Sequence, residues 1–236
     1  MSEYYSPEEA QDVFLKANEA YAREDYAAAQ AGYEKLLSHG HGGADVLYNL
    51  GTTHLARGDL GRAVLSLEQA RQQGGRAPDL EANLAVARAR QVDKVVGATA
   101  EEEFLPRVTA ATEGTVVAWT FLGTWVGALL LLLVWRWLTP GRRTGVGVVA
   151  ALLFAVAVPS GVLLAAHAWV DETVHEAVVL SPTLVARELP QPSARSIFEV
   201  HAGLKVRLLE ETGRFVRIRL PNGLEGWAER EGVAEI

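Results

Sequence analysis

The sequence predicts a multidomain membrane protein with an all-α region of helical repeats, an α-helical hairpin able to span a bilayer, and a small all-β domain. Three observations carry this reading. The first hundred residues resemble themselves when shifted by 34 positions. Two almost uncharged apolar runs flank WRWLTPGRR (135–143). After them the hydrophobic pattern changes from the helical period to strand alternation.

Composition excludes several classes. The chain has 236 residues, 49% of them hydrophobic, and a net charge of -7. Its basic residues are scattered among more numerous acids, which argues against a nucleic-acid partner because phosphate neutralisation needs clustered Lys and Arg. Cysteine is absent, so there is no disulfide framework, thiolate metal site or cysteine nucleophile. MSEYYSPEEA opens polar and acidic, where a secretory signal needs a basic start and an apolar run.

The repeat comes first in the chain. A shift of 34 residues superposes FLKANEAYAREDYAAAQAGYEKL (14–36) on YNLGTTHLARGDLGRAVLSLEQA (48–70). Phe14 falls on Tyr48, Ala17 on Gly51, Asp25 on Asp59, Tyr26 on Leu60, Ala29 on Ala63 and Tyr33 on Leu67, and Gly51 falls on Ala85 in PDLEANLAVARARQ (78–91). Each repeat reads as a helix pair in which Ala17, Gly51, Ala29 and Ala63 permit close approach and large residues fill the space between pairs. Asp25 and Asp59 are placed to cap second helices. Ser6-Pro7-Glu8-Glu9 is a capping box with proline at the first helical position.

This spacing resembles the tetratricopeptide repeat, with two full repeats and a closing helix from about Pro78, over residues 1–96. The resemblance implies a peptide-binding groove lined by first helices. It places Asn49 and Asn83 as principal contacts, with Asn18, Tyr21, Tyr48, Thr52 and Asp79 near them. Asp79 and Asn83 stand where some relatives carry basic residues, which argues against capture of a carboxylate. The groove is short, so a partner or self-association is expected to complete it. A connector, 97–113, interrupted by Pro106, follows.

The membrane segments are expected at 114–138 and 144–170, with a basic loop at 139–143. Each run is long enough to cross about 30 Å of hydrocarbon. Trp119, Trp125, Trp135, Trp137 and Trp169 lie in or beside them, and those near the ends suit the interfacial belt. Pro159 and Gly161 are expected to kink the second helix. Within the uncharged stretches 114–135 and 144–170 the ionisable residue is His167, in the last turn, where it reads as interfacial rather than as part of a transport path.

Orientation follows from the arginines. Arg136, Arg142 and Arg143 surround the short loop, while Glu101, Glu102, Glu103, Glu113, Asp171, Glu172 and Glu176 flank the outer ends. Basic short loops stay cytoplasmic, so both terminal domains are expected in the periplasm of a bacterium, anchored in the inner membrane. The polar N-terminus pulls against export, and the arginines are given more weight.

Residues 171–236 read as strands: EAVVLSPTLV (176–185), then VHAGLKVRLLEE, GRFVRIRL, PNG and LEGWAE. Alternation makes Val206, Leu208, Phe215, Val216, Ile218 and Trp227 core candidates and turns Arg207, Arg217 and Arg219 to water. Pro221-Asn222-Gly223 is a turn between strands. The order GR-aromatic-V, PNG, GWA resembles a bacterial SH3-like barrel closed by Gly226-Trp227, a fold that often binds cell-wall peptides or proteins. HGHGG (39–43) brings His39 and His41 together, but in a glycine-rich loop they make a weaker metal set than ligands held on a helix. With no recognisable phosphate loop or activated nucleophile, an enzyme is not expected.

Taken with the domain order, these motifs resemble the E-type members of the Bat aerotolerance proteins over nearly the whole chain; the missing signal peptide is the main departure. The resemblance implies a membrane-anchored periplasmic scaffold acting beside von Willebrand A-type Bat membrane proteins and, indirectly, a MoxR-type ATPase, in resistance to oxidative or envelope stress. Two alternatives remain open: an envelope sensor that binds murein through the SH3-like domain, and a purely structural membrane protein.

Overall fold

The computed structural model describes residues 5–75, 79–93, 105, 108–109 and 111–236. Pro78, Glu101, Glu102, Glu103 and Pro106 lie outside them. The chain divides into two units, Met1–Ala98 with His175–Ile236, and Thr99–Val174.

The first unit opens with paired helices α1 (Pro7–Ala22), α2 (Tyr26–Ser38), α3 (Ala44–Arg57) and α4 (Leu60–Gln72), followed by α5 (Leu80–Arg90). Side chains set the starts of α1, α2 and α4. Ser6 and Glu9 form the reciprocal capping box, and Asp25 and Asp59 accept the amides of Ala28 at 3.1 Å and Arg62 at 3.3 Å. Each cap occupies a backbone donor that the first helical turn would leave orphaned.

Small residues then set the pairing. A methyl group at Gly32 would lie 2.8 Å from the Ala17 side chain, and one at Gly51 would lie 2.7 Å from Leu67. Ala29, Ala63, Leu67 and Tyr33 are buried to 1% exposure or less. The alanines and glycines thus let the axes approach, and the larger residues of the same register fill the core between pairs.

The C-terminal part of this unit is a seven-stranded antiparallel sheet of β1 (His175–Val179), β2 (Thr183–Arg187), β3 (Ser196–His201), β4 (Lys205–Thr212), β5 (Phe215–Arg219), β6 (Glu225–Glu229) and β7 (Val233–Glu235), in the order β3-β2-β6-β5-β4-β1-β7. Val206, Leu208, Phe215, Val216 and Ile218 are buried. Trp227 departs from expectation: it is only half-buried and lies outside the core cluster. In the β5–β6 ladder it pairs with Arg217, so period-2 geometry puts it on the arginine face of the sheet. Gly226 is the residue packed inward, its Cα side close enough to Ala186 that a methyl would meet it at 2.9 Å. The Pro221-Asn222-Gly223 turn is present, with Gly223 at φ 84 and the Asn222 side chain accepting from Leu224 N at 3.1 Å.

Within this unit the helices and the sheet share a core. Val178 of β1 is buried with Leu55, Ala63, Val64 and Ala87. Glu68 of α4, fully buried, lies 2.6 Å from Arg71, 3.3 Å from Arg88 and 3.7 Å from Lys205, which reaches Glu176 at 2.8 Å.

The second unit is a hairpin of α6 (Gly114–Trp137) and α7 (Pro140–Thr173), 24 and 34 residues. Both are long and apolar enough to cross a membrane. Gly114 lies against His167 and Gly147 against Trp135, so about 21 residues of each helix run side by side, or about 32 Å at 1.5 Å per residue, close to the thickness of a hydrocarbon core. Ala128, Ala150 and Ala157 are buried to 1% or less, and Phe121 packs against the bare face of Gly161. Small residues at such a seam gain close van der Waals contact, which drives association where lipid is as apolar as the side chains. Thr120, Thr124 and Ser160 donate to carbonyls one turn back, so these three hydroxyls are satisfied within their own helices. Helix α7 runs through Pro159 without a break.

The basic loop is shorter than expected. Thr139 is the N-cap of α7 and Pro140 its first residue, so Arg142 and Arg143 belong to its first turn. Arg143 turns back to donate to Leu138 O at 2.8 Å and sits 5.5 Å from the Trp135 ring. A cation on the C-terminal carbonyls of α6 complements that helix's dipole.

His54 yields a test of the helical core. Burial lowers its pKa, outweighing the opposing pull of Asp59, and its Nδ1 has no hydrogen-bond partner. A histidine held neutral by folding contributes no penalty above its unfolded pKa near 6.5 and costs stability as pH falls through that value. Between pH 7 and 5 the wild-type chain is expected to lose more unfolding free energy than a His54→Leu variant, by chemical denaturation in detergent; equal losses contradict the assignment.

Candidate functional site

The seven residues expected to line a groove are carried by first helices. Asn18 and Tyr21 are on α1, Tyr48, Asn49 and Thr52 on α3, and Asn83 on α5, with Asp79 at its N-terminus. The structure links them across helices. Asn18 Oδ1 accepts from Asn49 Nδ2 at 3.1 Å, joining α1 to α3, and Tyr48 Oη accepts from Asn83 Nδ2 at 3.3 Å, joining α3 to α5. Thr52 is not part of this row: its hydroxyl donates to Asn49 O at 2.9 Å within its own helix. Tyr21 stands edge-on to Tyr26, ring centres 5.4 Å apart. Asp79 is exposed and makes no side-chain cap bond.

One member was missed in the sequence. Tyr33 of α2 donates its hydroxyl to Asn18 Oδ1 at 2.7 Å. The signal was there: at a position where the second repeat has Leu67, a tyrosine brings an O–H that needs a partner when buried. Burial pushes the Tyr33 phenol up to about 12, with the neighbouring Tyr21 adding to the shift and a hydrogen bond from Asn49 opposing it. The Tyr48 phenol is raised for the same first reason, and by the charge of Asp79 second. Both are neutral donors at physiological pH.

These bonds orient the amides. With Asn18 Oδ1 accepting twice, its amino group remains as a donor, and the bonded amino groups of Asn49 and Asn83 leave their carbonyl oxygens as acceptors. The row offers paired donors and acceptors in a partly buried setting, and its only formal charge is Asp79. Such a set pairs with peptide N–H and C=O groups and disfavours a carboxylate.

The loop histidines have structural partners. The Tyr5 ring stacks on His39, centres 4.3 Å apart, His41 Nε2 contacts Tyr5 O at 2.9 Å, and His39 Nδ1 contacts Lys35 O at 2.8 Å. HGHGG therefore clasps the residue before the capping box. Among the described residues no group of three or more His, Cys, Asp or Glu is placed to hold a metal ion. His167 Nε2 meets the Thr112 hydroxyl at 2.9 Å. On the sheet, an open depression of about 310 Å³ is lined by His175, Leu208, Leu209, Glu210, Glu211 and Glu235, and Arg230 bridges Glu211 and Glu235 at 2.7 Å each.

No protein-family model matches this chain, and comparison with curated proteins found no match either.

The shared acceptor predicts a coupling. Asn18→Ala removes the acceptor of the buried Tyr33 hydroxyl and is expected to cost about 1–3 kcal/mol. In a Tyr33→Phe background the same change should cost clearly less, as measured by denaturant unfolding of the four full-length chains. Strict additivity contradicts the bond.

Proposed function

We propose that this chain is a membrane-anchored scaffold that binds an extended segment of a partner protein along the first helices of tetratricopeptide-type repeats. The observation that carries the reading is the oriented amide row of Asn18, Asn49 and Asn83 with Tyr48. Free amide donors and acceptors on adjacent helices match the backbone of an extended peptide, and the Tyr21 and Tyr48 rings supply apolar contact at little entropic cost. Asp79 favours a neutral or basic segment. By resemblance to the E-type Bat aerotolerance proteins, the partners are von Willebrand A-type Bat membrane proteins and, through them, a MoxR-type ATPase, in oxidative or envelope stress resistance. The role proposed is binding rather than catalysis.

The topology proposed is two spans in a bacterial inner membrane, the Arg142 side cytoplasmic and both terminal domains periplasmic. Its support is twofold. Lys and Arg in short connections are retained in the cytoplasm. A chain that leaves one folded body after Asp93 and returns to it at His175 has to cross an even number of times. Lipid contact falls to the exposed Leu130, Leu133, Val162 and Trp137 side chains.

A second reading, an envelope sensor with an SH3-like ligand domain, is favoured by one observation. Arg187, Trp227 and Arg217 lie side by side on β2, β6 and β5, and Arg207 opposes Arg219 on β4 and β5. Like charges directly opposite are unfavourable in a sheet, and Glu225 is shared between Arg217 and Arg219, at 2.6 and 2.5 Å. That face suits an anionic wall component.

Co-purification from mildly solubilised native membranes separates the two. The scaffold predicts recovery of von Willebrand A-type membrane proteins that falls about tenfold or more in an Asn49→Ala, Asn83→Ala variant, each lost amide contact removing about 1 kcal/mol. Recovery indifferent to that variant, with murein retention abolished by Arg187→Glu, favours the sensor.

A further inference from the structure

Gly61 occupies the first turn of α4, a place where alanine is the better helix former. A methyl group there would lie 2.9 Å from Leu180 Cα and 2.9 Å from Val179 O. Both are backbone atoms of the C-terminal domain and cannot rotate aside. The glycine serves the approach of the sheet to the helix and no requirement of the helix itself.

The repeat register explains why the sheet comes to this place. In the first two pairs, Ala17 meets Gly32 and Gly51 meets Leu67, so each first helix is closed by its own second helix. Helix α5 opens a third pair, and no second helix for it is found among the described residues of this unit. A stack that ends this way leaves apolar side chains of its last helices without cover, which is why repeat arrays need a terminal cap. Val178 supplies that cover, packing with Leu55, Ala63, Val64 and Ala87 as Leu60, Leu65 and Ile236 close the edges.

We infer that the C-terminal domain is the end cap of the helical stack, and that α4, α5 and β1 open together as one cooperative unit. Polar contacts ring the apolar plug. Gln91 Nε2 donates to Gly203 O. Asp93 accepts from the backbone of His201 at 2.5 Å and holds its Nδ1 at 2.9 Å, and Gln69 donates to Glu235 O at 3.4 Å. Gly203 is at φ 92, a left-handed conformation that brings its bare Cα against Leu60 and its carbonyl to Gln91. Lys205 adds a third cation to the buried Glu68 carboxylate, so the most deeply buried acid of the helices takes part of its compensation from the sheet.

The cap has a consequence for partners. The far end of the stack is occupied by the chain's own domain, so a partner binds along the first helices or at the α1 end, and a second copy cannot extend the stack past α5.

Hydrogen exchange of the full-length chain in detergent micelles, read peptide by peptide, tests this. In the wild type, amides of α4, α5 and β1 are expected to converge on one opening as denaturant rises. Gly61→Ala, which an undocked α4 would tolerate or welcome, is expected to speed exchange of all three elements by about tenfold, the low end of the cost of an overpacked contact, while α1 and α2 keep their protection. Lys205→Glu, placed on the sheet side and opposite Glu68, is expected to act on the same three elements. If Gly61→Ala slows exchange in α4 and leaves β1 untouched, or if either variant opens β1 without α4 and α5, the cap is refuted.

Discussion

Glu68 is a carboxylate with no exposed surface, set between two arginines of the helices and a lysine of the sheet. Removing an ion from water costs several kcal/mol, offset only by close opposite charge and hydrogen bonding. The three cations come from α4, α5 and β4, and in chain order the whole apolar hairpin separates β4 from the other two. The arrangement therefore exists only when the chain returns to the body it left. Apolar burial at Val178 drives the return, and the charges around Glu68 make it specific, because a slipped docking would leave a buried acid short of partners.

The two helices of the hairpin are matched in length along their contact. About 21 residues of each run side by side, aligned by Gly114 against His167 and Gly147 against Trp135. The connection between them is minimal, and Arg143 stabilises it by placing its guanidinium on the end of α6 and against Trp135. An arginine in the first turn of a helix opposes that helix's own dipole; here it is turned backwards onto the preceding helix, where its charge is favourable.

Much of the fold was legible because local rules agreed with one another. Ser6, Asp25 and Asp59 cap where side-chain chemistry says they should, and the alanines and glycines of the 34-residue register sit at close contacts. Strand alternation located Val206, Leu208, Val216 and Ile218 in the core. It misplaced Trp227, because a large aromatic in a strand pulls the reading toward burial even when its parity puts it with Arg217. The amide row was half legible: Asn49 and Asn83 followed from the repeat, whereas Tyr33 looked like a space-filling residue and its hydroxyl only gains meaning beside Asn18. The docking was not legible at all. Nothing in their local sequence sets Gly61 or Glu68 apart, and Val178 is one of four apolar residues in a row. Each depends on a neighbour more than a hundred residues away, which no local pattern encodes.

The central claim is that both terminal domains form one body on one side of the membrane. The chain contains no cysteine, so a pair introduced as Gln69→Cys and Glu235→Cys reports on that body alone. In intact spheroplasts, a membrane-impermeant bifunctional maleimide is predicted to join the two positions within single chains, yielding a faster-migrating monomer that neither single-cysteine variant gives. Labelling of the two cysteines from opposite sides of the membrane, or crosslinks formed only between chains, contradicts the account.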